Sequence, residues 1–159
     1  MSGASPESRV VFVDVQVARR AGAGLEVLLL RRAAGERSPG TWETVHGSIE
    51  EGESPVDAAR RELSEETGLL PSALYNLSRV ESFYLHRAGI VALIPVFVAM
   101  VEPGAAVRLS SEHDGFEWLA PADAARRVAW PRERRALDDL QFIFRQGDGG
   151  LLDDVLRVS

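Results

Sequence analysis

The chain has 159 residues, 45% hydrophobic and 26% charged, the profile of one soluble globular domain large enough to bury a core. Its net charge of -6 argues against nonspecific nucleic-acid binding, and the lack of cysteine excludes disulfides, thiolate metal sites and a cysteine nucleophile. All 18 basic residues are arginine, so any side-chain phosphate clamp must be a guanidinium fork.

Residues 1–8 are polar and carry no apolar run, so they predict a flexible start and no signal peptide. The valine-rich stretch 9–17 predicts a first strand, 19–24 a turn, and 25–30 a second, buried strand. A loop bearing glycine and proline over 33–40 leads to a short strand at 41–45. Ser54 is a good helix N-cap, Pro55 suits the first helical position, and Asp57 lies in the first turn, where the helix dipole favours an anion. Val56, Ala59 and Leu63 fall on one buried stripe, and Gly68 follows the last periodic residue as a left-handed stop. Pro71 blocks further helix. Residues 79–86 and 90–101 predict a strand pair around Ala88 and Gly89, the second too short and too interrupted by Pro95 to span a membrane. A turn at Pro103-Gly104, a strand at 116–119 and helices at 121–128 and 131–144 follow, each helix opening on proline. Residues 147–150 close the fold. The expected organisation is one domain over 9–146 and a loose tail over 147–159, in the α/β class.

The most informative stretch is 47–69. It reads Gly47, five residues, Glu53, seven residues, then Arg61-Glu62-Leu63-Ser64-Glu65-Glu66-Thr67-Gly68-Leu69. Glu62, Glu65 and Glu66 stand at i, i+3 and i+4, and at about 100° per residue they share one side of the helix. Three clustered carboxylates repel and raise one another's pKa values. A hard divalent cation relieves that repulsion, and oxygen ligands suit Mg²⁺ or Mn²⁺. A Glu-rich helix face alone is more often a solvated surface; the two glycines, the arginine and the fourth glutamate at fixed spacing reverse that weighting.

The same residues match G-x5-E-x7-R-E-U-x-E-E-x-G-U, with U aliphatic, at every specified position, and so resemble the box of the Nudix hydrolase family. The resemblance implies an α/β/α sandwich with a mixed sheet, the box folding as loop, helix and loop. It implies hydrolysis of a nucleoside diphosphate linked to another group, with Gly47 lending its carbonyl, and Glu62, Glu65 and Glu66 their carboxylates, to the metal. Arg61 then orients a box glutamate through a salt bridge, with Glu53 as its structural partner rather than a primary ligand. The flanks, 40–53 and 111–119, are similar to the branch that acts on dATP and dihydroneopterin triphosphate. In that branch Glu112 completes the metal site or acts as base, and Glu112 or Glu65 is the candidate base here. The segment 73–104 has no clear counterpart.

Beyond the box, Arg32 ends a strand near the site and is a candidate phosphate contact. Trp42 stands next to the site, and Tyr84 or Phe83 can stack on a nucleobase, although these strand positions also suit core packing. His46, His86 and His113 are lone histidines, more often structural or surface residues than bases. The expected ligand is a small nucleotide, with no stable nucleic-acid binding and no membrane insertion, in a cytoplasmic protein that, like many family members, forms a homodimer. Rival functions are cleavage of dinucleoside polyphosphates, nucleotide sugars or ADP-ribose, or nucleotide sensing without cleavage. The intact box disfavours a sensor, and the acidic balance disfavours an RNA module.

Overall fold

The computed structural model describes residues 4–159. Strand Glu7–Val10 (β1) lies parallel to Ile90–Met100 (β7), as does the longer strand Phe12–Ala21 (β2). The single strand expected over 9–17 is therefore two. Val10 pairs with Leu93 but Asp14 with Val96, a slip of one residue that breaks the strand at Val11. Strand β2 runs past the expected turn and meets Gly24–Arg32 (β3) in an antiparallel pair closed at Gly22, whose φ is 58°. Short strands Trp42–Glu43 (β4) and Val45–Ser48 (β5) pair with β3 and β2 respectively.

Strand Ala73–Leu85 (β6) begins six residues before the expected 79 and pairs with β7 in a long hairpin. Its register shifts between Asn76 and Val80, opposite Pro95, which has no N–H to offer the ladder. Strand His113–Leu119 (β8) pairs with β3 and completes a mixed eight-stranded sheet.

Side-chain alternation along β2 divides the molecule into layers. Val13, Val15 and Val17 face helix Pro55–Thr67 (α1), packing with Leu28, Leu30, Val45, Ala58, Ala59 and Leu63. Asp14, Gln16 and Ala18 face the other side, where helices Pro121–Arg127 (α2) and Pro131–Phe144 (α3) cover Val27, Leu29, Val96 and Val98. The result is an α/β/α sandwich. No described helix is long and apolar enough to cross a membrane.

Two expectations about the ends change. Residues 1–3 of the expected flexible start lie outside the described residues, but Glu7 and Ser8 pair with Ile90 and Val91. The supposed loose tail forms helix Asp153–Leu156 (α4), which buries Leu156 in the α3-side core. Beyond it the backbone of Leu74 exchanges hydrogen bonds with Val158 and Ser159 at 2.8–3.2 Å.

Candidate active site

Helix α1 begins and ends as its sequence dictates. Ser54 Oγ accepts from the N–H of Asp57 at 3.1 Å, and Gly68 stops the helix at φ 70° with its N–H bonded to the Ser64 carbonyl. Ala58, Ala59 and Leu63 bury the helix on the sheet, with Val56 only partly covered. The carboxylate face turns toward the end of the sheet where β5 arrives.

Arg61 ties loop to helix. Its Nε and Nη2 donate to the two oxygens of Glu53 at 2.8 and 2.9 Å, and Nη2 also reaches the Ser48 carbonyl at 2.8 Å. Its Nη1 donates to Glu62 at 2.8 Å and to Glu65 at 3.2 Å. The Arg61 guanidinium, helped by the Glu50 N–H, holds the Glu53 carboxyl down at about 2. Gly47 lies directly beneath Glu62: a β-carbon there would fall on the Glu62 carboxylate and force it to move.

Glu66 is buried and Glu62 partly buried. Burial raises the Glu62 carboxyl, opposed by Arg61 and reinforced by repulsion from Glu65 and Glu112. Glu66 is pushed up to about 10, first by burial and then by Glu62, Glu112 and Glu43. Its Oε2 is buried without a hydrogen-bond partner among the described residues. Glu65 is turned outward to Arg61 with 57% of its side chain exposed. Glu112 stands on the exposed loop before β8, its carbonyl accepting from the Ala33 N–H at 2.9 Å. Glu62, Glu66 and Glu112 thus share one electrostatic neighbourhood, while Glu65 bears on Glu62 alone. Among the described residues no three His, Cys, Asp or Glu side chains already form a metal-holding group.

An orphaned buried carboxylate oxygen, two acids raised by burial and by neighbouring carboxylates, and a glycine cradle are the chemistry of an oxygen-ligand cation site. The residues present therefore fit a hard divalent ion.

The three candidate substrate contacts stand elsewhere or are already engaged. Arg32 donates to Glu43 at 3.2 Å and to the Arg37 carbonyl at 3.0 Å, so its fork is held by the protein. Trp42 packs against the α2/α3 core, with the guanidiniums of Arg31 and Arg127 at 5.8 and 5.2 Å from its ring. Tyr84 is exposed on β6 opposite Val91, and no side-chain hydrogen bond among the described residues ties it to the glutamates. Residues absent from the sequence-based candidates lie closer. Glu43 is buried against His113, whose ring is fully covered rather than at the surface. His46 is not a lone histidine: its Nδ1 lies 2.6 Å from buried Asp14, which also accepts from Arg132 at 2.8 Å. Only strand alternation, which points Asp14 toward an α3 rich in arginine, could have signalled that group.

An α/β/α sandwich with a carboxylate-bearing loop–helix–loop at the end of its sheet defines a phosphate-handling hydrolase scaffold. Residues 9–140 match the NUDIX domain, and the chain belongs to that family, whose members use divalent metal ions. A Myxococcus xanthus protein named octanoyltransferase is 42% identical over 127 residues, covering 79% of this chain. The chain spans only 34% of that protein's length. The Escherichia coli dihydroneopterin triphosphate diphosphatase is 31% identical over 150 residues, covering 87% of this chain and 92% of the relative. In structure, a NUDIX hydrolase from Listeria monocytogenes superposes with a TM-score of 0.75 over 95% of this chain and 100% of its own, at 20% identity.

Proposed function

We propose that this protein hydrolyses a phosphoanhydride bond in a nucleoside diphosphate linked to another group, with nucleoside or pterin triphosphates as the preferred substrates. The observation that carries the reading is the buried Glu66 carboxylate beside Glu62 and Glu112, its Oε2 without a partner among the described residues, with the Glu62 carboxylate packed directly on Gly47. Likeness to a diphosphatase of pterin triphosphates, over most of both chains, supports the substrate class.

Glu62 and Glu66, with Glu65, Glu112 and the Gly47 carbonyl, would hold Mg²⁺, or Mn²⁺ in its place. When bound, the cation offsets the charge of the substrate's phosphate oxygens and acidifies water. Arg61 keeps Glu62 against Gly47 and holds the loop to the helix through Glu53 and the Ser48 carbonyl. Glu112 has no arginine partner among the described residues, whereas Glu65 is held by Arg61. Glu112 is therefore the base: it takes the proton of the attacking water as that oxygen bonds to phosphorus. The bond from that phosphorus to the bridging oxygen breaks, and a triphosphate yields a monophosphate and pyrophosphate. With no described membrane-spanning helix and no cysteine, the proposed setting is the cytoplasm.

The test is ³¹P NMR of the protein with Mg²⁺ and a panel of deoxynucleoside triphosphates, dihydroneopterin triphosphate, ADP-ribose and a diadenosine polyphosphate. Pyrophosphate released from a triphosphate is the expected result. Turnover of ADP-ribose or the dinucleotide alone would keep the site and reject the substrate class, and saturable binding without turnover would point to a sensor.

A further inference from the structure

Three polar side chains beside the site are unused by the mechanism. Alternation along β3 places Leu30 and Arg32 on the α1 side of the sheet, and their cross-strand partners Glu43 and His113 share that face. Arg32 pairs with His113 and Arg31 with Gly115, so Asp114 is an extra residue bulged out of β8, where it accepts from Arg31 Nε at 2.7 Å. The Glu43 carboxylate lies between the other two. Its Oε1 faces His113 Nε2 at 2.9 Å and accepts from Arg32 Nη1 at 3.2 Å. The His113 side chain is 0% exposed, and those of Glu43 and Arg32 are 10% and 18% exposed.

This triad does not explain itself as a source of stability. A buried ion group rarely stabilises a fold more than apolar packing of the same volume. Here it also sets a further negative charge against Glu66. What it holds is the start of β8. Glu112 immediately precedes His113, and its carbonyl is bound to Ala33, the residue after Arg32. The Ser110 N–H reaches the carbonyl of Glu66 itself at 3.4 Å. The chain carrying Glu112 is thus fixed to the end of β3 by backbone and, through Glu43, by the only buried side-chain contact that β8 makes with β4 among the described residues.

We propose that His113, Glu43 and Arg32 are positioning residues that set where Glu112 stands relative to Glu62 and Glu66. The inference rests on the hydrolase function proposed above. None of the three needs to touch substrate: they act through Glu112. His113→Asn, whose amide stands in for Nδ1 and stops short of Glu43, therefore lowers kcat roughly tenfold with KM within about twofold, as loss of an orienting contact does. The same change in an Glu112→Gln background costs nothing further, because the group being positioned has already gone.

The experiment is this double-mutant cycle, read on kcat for the triphosphate turned over fastest and on Mn²⁺ affinity by electron paramagnetic resonance. The melting temperature of each variant accompanies both. Expected is a loss in each single variant and no more in the double variant than in Glu112→Gln alone. Losses that multiply, a His113→Asn effect confined to melting temperature, or an inert Glu112→Gln would each overturn the positioning role. If His113→Asn does not fold, Glu43→Gln, of the same shape without the charge, takes its place in the cycle. A wild-type protein with neither turnover nor Mn²⁺ binding would instead overturn the hydrolase function, and the inference with it.

Discussion

The two faces of the sheet treat buried carboxylates in opposite ways. On the α3 face two acids that meet the sheet have matching arginines: Asp14 is held by Arg132, with His46 beside it, and Glu81 by both Arg135 and Arg79 at 2.8–3.1 Å. Those contacts outweigh burial, and both carboxyls are held below their ordinary values. On the α1 face Glu66 faces Glu62, Glu112 and Glu43, and its carboxyl is raised instead. The exception on the α3 face, Glu133, is fully covered and raised by burial, but its Oε1 accepts from the Thr44 N–H at 2.7 Å and fixes the strand leading to the box. Negative charge gathered from Glu66, Glu62, Glu112 and Glu43 at one end of the α1 face is a cost that folding alone does not explain; a cationic ligand does.

The largest effect that would sharpen this contrast is at Glu66. Glu66→Gln should lower kcat roughly 100-fold or more, since it removes a carboxylate that acts on the reacting phosphate through the cation. The metal-free variant should nevertheless melt higher than wild type. A raised carboxyl means that the folded state keeps its proton while the unfolded state loses it. From the ordinary value near 4.5 up to about 10, the folded form binds more protons, so this group's contribution to stability falls as pH rises. Melting curves of metal-free wild type and Glu66→Gln between pH 5 and 9, on the order of that window, should diverge with increasing pH. Wild-type turnover in the variant would remove the box from the mechanism.

Gly47→Ala comes next. The added methyl meets the Glu62 carboxylate, and the expected result is about a tenfold weaker metal affinity and a matching loss of rate. Mn²⁺ titration checks it, and an unchanged affinity would show that Glu62 has another place to go.

Glu81→Gln should behave in the opposite sense from Glu66→Gln. It leaves turnover unchanged but costs about 2 kcal/mol at neutral pH, the scale of a charge-assisted hydrogen bond. Because the folded Glu81 carboxyl is depressed, its stabilisation is present above the unfolded value and is lost as pH falls through the folded one. The difference between variant and wild type in urea unfolding should therefore shrink in acid. A constant difference would mean that the arginines contribute through packing alone. The smallest effect is that of Ser54→Ala, about 1 kcal/mol from the lost cap of α1, with turnover intact.

What could be seen in the sequence follows the range of the interactions. Helix α1, its cap, its stop and its carboxylate face are set by neighbours three to eight residues apart, and spacing alone displays them. Its salt bridge from Arg61 to Glu53 spans eight residues, and the resemblance to the Nudix box, not spacing, implies it. Glu43 and His113 meet across 70 residues, and Arg132 and Asp14 across 118, and no local pattern marks such a pairing. Thus His113 reads as a surface or hydrogen-bonding residue without a named partner, and Arg32 as a phosphate contact, until β8 is laid beside β3. The C-terminal segment misleads for a related reason. Its Gly147-Asp148-Gly149-Gly150 run looks like an ending, but Leu156 finds its pocket only once α3 and β6 are in place. Trp42 sits one residue from Glu43 yet points to the opposite layer, because successive strand residues alternate faces.

That the α1-face glutamates carry more negative charge than Arg61 and Arg32 offset, and so take up a divalent cation, is tested by thermal melting under Mg²⁺ titration without substrate. Wild type should rise saturably in melting temperature, gaining about 2.7 kcal/mol when Mg²⁺ reaches 100 times its dissociation constant. Glu66→Gln and Glu62→Gln should start higher and rise little. Equal Mg²⁺ responses in wild type and both variants would contradict the account, because the stabilising ion would then be bound somewhere other than beside those glutamates.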